Sequence, residues 1–267
     1  MTMISQDLHV CLLPLKITWG DKMANLSRLE DTLKLVHPQT DVVVLPETFS
    51  TGFPVDKDKE QVRELAERNS GETVSRLQEL ASRYNVAIAG SFIADTGGSL
   101  YNRGFFIEPG GESTFEDKHH LFHMAGEDKV FSHGYERMLI RYRGWNIAMV
   151  ECYDIRFPVW CRNVDNEYDV LFVVANWPEV RIDAWNKLLP ARAIENQAYV
   201  CGVNCTGIDD KGFVYPESSR TLDFKGRDIS VLQESTGLIY ATLMRDKLDA
   251  FRVKFAAWRD ADRFKLL

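Results

Sequence analysis

Three residues of this chain have the types and the setting to perform acyl chemistry together: Glu47, Lys118 and Cys152. Each falls one or two residues past a run that reads as a strand: 41–45 before Pro46-Glu47, 113–117 before Lys118, and 146–151 before Cys152. In open α/β sheets, ligands bind beyond the carboxyl ends of strands, where the connecting loops converge. A carboxylate there takes a thiol proton, the thiolate attacks a carbonyl carbon, and an ammonium stabilises the oxyanion. A cysteine with an ordinary pKa of about 8.5 is only a few per cent thiolate at neutral pH, so it needs such a base or cation. A thiol probe is expected to label Cys152 and to lose that labelling on Glu47→Ala.

The elements that must position these residues follow from periodicity. Residues 8–15 form a first apolar run, and Met23, Leu26, Leu29, Leu33 and Val36 predict a helix over 22–37, just before Pro38. The unbroken Val42-Val43-Val44-Leu45 run predicts a strand buried on both faces, as in sheets with helices outside. Helices over 62–69 and 73–85 lead to a strand over 86–92. Turn sequences at 95–98 and 108–111 then flank a strand over 102–107 and predict antiparallel members in a mixed sheet. Residues 118–134 show no period and read as a long loop around the site. Cys152 is placed at a strand-to-helix corner, with Pro158 able to open the helix. Beyond it come strands over 170–174 and 198–204 with a helix over 182–197 between them, a hairpin turn at 224–227, and a charged C-terminal helix or arm over 246–267.

The 267 residues show no linker, repeat or low-complexity tract, and read as one domain over 1–267. A net charge of -7 without a Lys/Arg cluster argues against nucleic acid. No apolar run reaches the roughly 20 residues that span a bilayer, and the N-terminal stretch lacks a signal-peptide core, so a cytoplasmic protein without a membrane partner is expected. Five cysteines, an odd number in a chain large enough to fold without staples, are expected to be reduced.

Leu-Pro-Glu47, Asp-Lys118-His-His-Leu-Phe and Glu-Cys152-Tyr-Asp-Ile-Arg-Phe-Pro together resemble the nitrilase (carbon-nitrogen hydrolase) superfamily, in matching order along nearly the whole chain. The resemblance implies an α/β fold, a four-layer α-β-β-α sandwich with mixed sheets, pairing as a homodimer; the C-terminal arm, bearing Leu248, Phe251, Phe255 and Trp258, is expected to cover either the core or the partner subunit. It implies a Glu-Lys-Cys site with no cofactor and no metal. Glu47 would be the general base, Lys118 the oxyanion cation and Cys152 the nucleophile that forms a thioester, with the backbone N–H of Tyr153 as a second oxyanion donor. Glu127 best matches a second carboxylate of the family. The 118–127 run, Ala-Asn-Trp177-Pro and Ala191-Arg-Ala-Ile-Glu-Asn-Gln are similar to the bacterial omega-amidase branch. That branch hydrolyses the terminal amide of 2-oxoglutaramate or 2-oxosuccinamate to ammonia and the oxo-dicarboxylate. Such an anionic small-molecule substrate needs a cation away from the amide: Arg181 is the candidate, beside Trp177, with Arg156 read as structural.

Other readings compete. Another activity of the superfamily, on an aliphatic amide, an N-carbamoyl compound or a nitrile, would use the same three residues. His119, His120, His123 and His133 raise a metal site or a Cys-His hydrolase. Cys201 and Cys205 lack zinc-ligand spacing and partners and read as core thiols. A non-catalytic dimeric scaffold is the remaining alternative.

Overall fold

A strand whose every residue is apolar needs cover on both faces. The computed structural model, which describes residues 7–54 and 57–264, supplies it with two sheets packed face to face and helices outside each. The first half of the chain runs through β1 (Leu8–Leu12), α1 (Lys22–Leu33), β2 (Val42–Val44), α2 (Lys59–Leu65), α3 (Glu72–Tyr84), β3 (Ala87–Asp95), β4 (Leu100–Ile107), β5 (Ser113–Asp117) and the single turn α4 (Glu127–Val130). The second half contains β6 (Met138–Tyr142), β7 (Trp145–Glu151), β8 (Val170–Ala175), α5 (Ile182–Asn196), β9 (Tyr199–Asn204), a small hairpin of β10 (Gly207–Ile208) and β11 (Val214–Tyr215), then β12 (Arg220–Leu222), β13 (Val231–Gln233), β14 (Leu238–Leu243) and α6 (Arg245–Lys254).

The seven-stranded sheet has the order β13-β14-β1-β2-β3-β4-β5, with β1, β2 and β3 parallel; the five-stranded sheet has the order β12-β9-β8-β7-β6, with β7, β8 and β9 parallel. Alternation along each strand explains the layers. Val10, Leu12, Val42 and Val44 meet Ile147, Met149, Phe172 and Val174 between the sheets. Cys11, Leu13, Val43 and Leu45 face the other way, onto Leu26 and Leu29 of α1 and Leu77 and Leu80 of α3. Ala148, Val150, Leu171 and Val173 turn outward onto Trp185 and Leu189 of α5. The layers are therefore α-β-β-α.

Local readings differ in two places. β6 and β7 form a hairpin that turns at Arg143-Gly144, both at positive φ (48° and 80°), the backbone that two-residue hairpin loops require. Arginine in the first of those positions hid the turn from sequence reading. Pro158 does not open a helix: a 3₁₀ turn starts at Cys152 and ends at Arg156, and Phe157 is extended, as the residue before a proline prefers. The turn at 224–227 closes a short antiparallel hairpin as expected: Asp223 N donates to Arg227 O and Ile229 N to Thr221 O (both 2.9 Å), and Leu222 bridges Asp228, before the chain leaves for β13 in the other sheet.

The C-terminal helix covers the chain's own core. Leu248 is fully buried among inter-sheet residues. Arg252 donates to Asp169 Oδ1 (2.8 Å), Tyr168 O (2.7 Å) and Gln197 O (3.0 Å). Arg252→Ala is expected to cost about 3 kcal/mol, the low end for breaking a buried pair, because Arg245 still reaches Asp169 Oδ2 at 2.8 Å. Urea denaturation checks this; an unchanged midpoint would mean that α6 is held by its apolar face alone. Of the arm read from sequence, Lys265–Leu267 lie outside the described residues, as do Met1–Gln6 of the N-terminal stretch.

Candidate active site

The ends of β2, β5 and β7 converge where the two sheets open. Glu47 follows β2 through Leu45-Pro46, Lys118 follows β5 directly, and Cys152 follows β7 directly. Two of the three exits carry backbone strain. Thr48, beside Glu47, has φ +42°, and Cys152 has φ +46°. A side-chain-bearing residue in left-handed backbone costs on the order of 1–3 kcal/mol and persists only where its surroundings over-determine it. Thr48 is held by its N–H, which donates to Ser91 Oγ (2.8 Å), and by its hydroxyl, which accepts from Asn176 Nδ2 (3.2 Å).

Glu47, Lys118 and Glu127 form a buried charge chain, each no more than 2% exposed. Lys118 Nζ donates to Glu47 Oε1 at 2.9 Å and to both oxygens of Glu127 at 2.9 and 3.0 Å. Burial works against the ammonium, but Glu127 and then Glu47 outweigh it and hold Lys118 well above its ordinary pKa. Burial raises the Glu127 carboxyl, and Lys118 and the Phe122 N–H (2.5 Å to Oε2) oppose it. Glu127 opens α4, so the 118–134 segment is not wholly loop as read from sequence. A helix of four residues is too short to register as a period.

Two asparagines that sequence reading missed complete the Glu47 site. Asn102 Nδ2 donates to Glu47 Oε1 (2.8 Å), Asn176 N to Glu47 Oε2 (3.2 Å), and Asn176 Nδ2 to Glu47 O (2.9 Å). The available signal was slight: Asn102 is a polar residue inside an otherwise buried strand and Asn176 stands at the end of β8. Neither type announces a partner 55 or 129 residues away.

Cys152 is half-buried and faces this chain. Burial comes first, then the Glu47 carboxylate, in pushing its thiol well above the usual range; Lys118 and the Asn176 N–H pull the other way without prevailing. Burial and the neighbouring Glu47 thus both favour the thiol over the thiolate at Cys152.

A cavity of about 300 Å³ opens over Cys152, walled by Phe53, Phe122, Tyr153, Trp177 and Phe213 among others. Trp177 is 3% exposed, and Asn204 pins its backbone from both sides, accepting from its N–H (2.7 Å) and donating to its carbonyl (2.9 Å). Its indole Nε1 has no hydrogen-bond partner among the described residues. Arg181 lies over the Phe122 ring at 5.1 Å and lines the cavity. Arg156, read from sequence as structural, lines it too, stacked over Trp177 at 4.7 Å. No histidine is among the cavity-lining residues. His119 stacks flat on Trp160 and His120 on Phe157, with their ring planes 87° apart. Among the described residues, no three His, Cys, Asp or Glu side chains are grouped to hold a metal ion.

Fold and cavity together define an α-β-β-α hydrolase class, and the chain belongs to it: residues 10–253 match the carbon-nitrogen hydrolase family. It is an enzyme that hydrolyses C–N amide bonds. Over 260 residues it is 40% identical to the omega-amidase YafV of Escherichia coli, covering 97% of this chain and 98% of that one. It is 32% identical to the 2-oxoglutaramate amidase of Bacillus subtilis, covering 91% and 95%. The crystal structure of a CN-hydrolase superfamily protein from Xanthomonas campestris, with an arsenic adduct in its active site, superposes with a TM-score of 0.92 at 34% identity, covering 98% of this chain and 100% of that one.

Proposed function

We propose that the enzyme hydrolyses the terminal amide of 2-oxoglutaramate and 2-oxosuccinamate through a thioester on Cys152. The observation that carries this reading is the meeting, in one cavity, of a half-buried thiol, the Glu47–Lys118–Glu127 chain and two guanidinium groups on aromatic walls. The names of the two full-length relatives, an omega-amidase and a 2-oxoglutaramate amidase, support the substrate class.

In the reaction, Cys152 Sγ attacks the amide carbon as its proton passes to Glu47. The oxyanion is held by the Tyr153 N–H and by Lys118, whose third N–H remains after one serves Glu47 and one is shared by the two oxygens of Glu127. Glu47 returns the proton to the amide nitrogen, the C–N bond breaks and ammonia leaves. Glu47 then takes a proton from water, whose oxygen attacks the thioester carbon. The C–S bond breaks, the thiol regains the proton and the acid departs. Glu127 anchors Lys118 throughout.

Away from the reacting amide, the substrate carboxylate meets Arg181, and the Trp177 ring forms part of the cavity wall beside it. Ammonia release from 2-oxoglutaramate, glutamine, a short aliphatic amide and a nitrile tests the reading; preference for either of the last two would sink the oxo-amide assignment. Arg181→Ala is expected to raise KM for the acidic oxo-amide about tenfold or more, the worth of one hydrogen bond to a charged group, and to leave the neutral amide unchanged. Equal loss on both would remove Arg181 from this role.

The same reading takes residues 1–267 as one hydrolase domain acting as a homodimer in the cytoplasm. Val253 and Phe255, exposed at the end of α6, support pairing over that end, and five unpaired cysteines support a reducing compartment. Among the described residues, no helix is long and apolar enough to cross a membrane.

A further inference from the structure

Glu151, the last residue of β7, is 4% exposed and has no ion-pair partner among the described residues. Its neighbours in register explain where it goes. Ile147 and Met149 of the same strand point between the sheets, so Glu151 does too. There it reaches across to β4 and lies on Gly104, where a Cβ would overlap Glu151 Oε1 and the Met149 terminal methyl. Gly104 is paired with Ser91 on one side and Glu116 on the other, so the strand cannot move aside easily.

The carboxyl of Glu151 also accepts from the Asp154 N–H, and Asp154 Oδ2 accepts from the Glu151 N–H (3.3 Å). These reciprocal bonds bracket Cys152, the residue at φ +46°. Asp154, fully buried, is fastened on its other oxygen: Oδ1 accepts from the His120 N–H and faces His120 Nδ1, each at 2.8 Å. His120 is two residues past Lys118, so one network joins the exit of β5 to the exit of β7.

We propose that Glu151, seated on Gly104 and bonded to the Asp154 N–H, is a positioning residue that holds the left-handed backbone of Cys152 and so aims its sulfur. The inference rests on the reading of Cys152 as the nucleophile. Glu151 is not among the residues that line the cavity, and burial, and then the Asp154 carboxylate, hold its carboxyl well above the usual range, which favours its neutral form. A neutral amide of the same shape should therefore serve, and anything that removes or lifts the side chain should not.

The test compares Glu151→Gln, Glu151→Ala, Glu151→Asp and Gly104→Ala with wild type and Cys152→Ala, reading kcat and KM for 2-oxoglutaramate, the rate of Cys152 alkylation by iodoacetamide, and thermal melting. Glu151→Gln is expected to keep kcat within about threefold, while Gly104→Ala, Glu151→Ala and the too-short Glu151→Asp lower kcat and alkylation together by about tenfold to a hundredfold at unchanged KM, the effect of a misplaced attacking atom. A Gln variant as impaired as the Ala variant would overturn the proposal, since the group would then act as an ion. Wild-type kcat in Gly104→Ala and Glu151→Asp would overturn it as well, and those two variants decide the matter should Glu151→Ala fail to melt cooperatively. Full activity in Cys152→Ala would instead overturn the thioester reading itself.

Discussion

Glu47→Gln is expected to lose about 10²–10⁴-fold in turnover, the usual worth of a positioned proton-transfer group, and yet to have its Cys152 alkylated faster than wild type. The two effects separate because Glu47 has two influences on the sulfur. As a base it receives the proton when the substrate is attacked. As a resting carboxylate it disfavours the thiolate, adding to burial in raising the Cys152 thiol. Removing the charge lowers that pKa and increases the thiolate fraction at a given pH. In wild type, with the thiol raised well above neutrality, alkylation by iodoacetamide should climb about tenfold per pH unit from pH 6 to 8 without a plateau. In Glu47→Gln the curve should shift to lower pH. Cys152→Ala, lacking the nucleophile, should fall by about 10⁶-fold, as loss of a hydrolase nucleophile does elsewhere. Alkylation that slows in Glu47→Gln in step with turnover would mean that Glu47 generates the thiolate in the resting enzyme, and would refute the thiol-carboxylate pair. Sequence reading alone led to that opposite expectation, because it supplied a base and a thiol but no desolvation.

Lys118→Met should be damaged in both stability and turnover. The ammonium lies between two buried carboxylates, and its loss leaves Glu47 and Glu127 facing each other without a cation. Removing one partner of a buried ion pair costs about 3–5 kcal/mol, mostly the burden of the stranded charge. Turnover should fall about 10²–10³-fold through loss of an oxyanion donor. Adding Glu127→Gln to Lys118→Met removes one of the stranded charges and should restore part of the stability with none of the turnover. Urea denaturation of the single and double variants, alongside ammonia release, separates the two roles. A single variant as stable as wild type would show that the chain of charges is not what holds the 118–134 segment, and recovered turnover in the double variant would remove Lys118 from the oxyanion site.

Much of this protein is determined by local sequence. Val42-Val43-Val44-Leu45 cannot be half-exposed, so a sheet covered on both sides was legible. The stripe of Leu26, Leu29 and Leu33 defines α1, although Met23 points to solvent and the helix ends at Leu33 before the turn that leads to Pro38. Glu47, Lys118 and Cys152 could be picked out because each follows its strand by no more than a few residues, and that spacing is a property of the chain itself. The tertiary structure alone decided what surrounds them. Asn102 and Asn176 reach Glu47, Asp154 ties His120 to the Cys152 turn, and Arg156 turns onto Trp177 within the cavity wall. Glu151 finds room only because the residue opposite, 47 positions earlier on another sheet, is Gly104. Periodicity reports which face of an element is apolar, since that depends on neighbours three or four residues away. It carries no record of which polar side chain meets which across two sheets, and that pairing sets the charge on the thiol, the strain at Cys152 and the walls of the cavity.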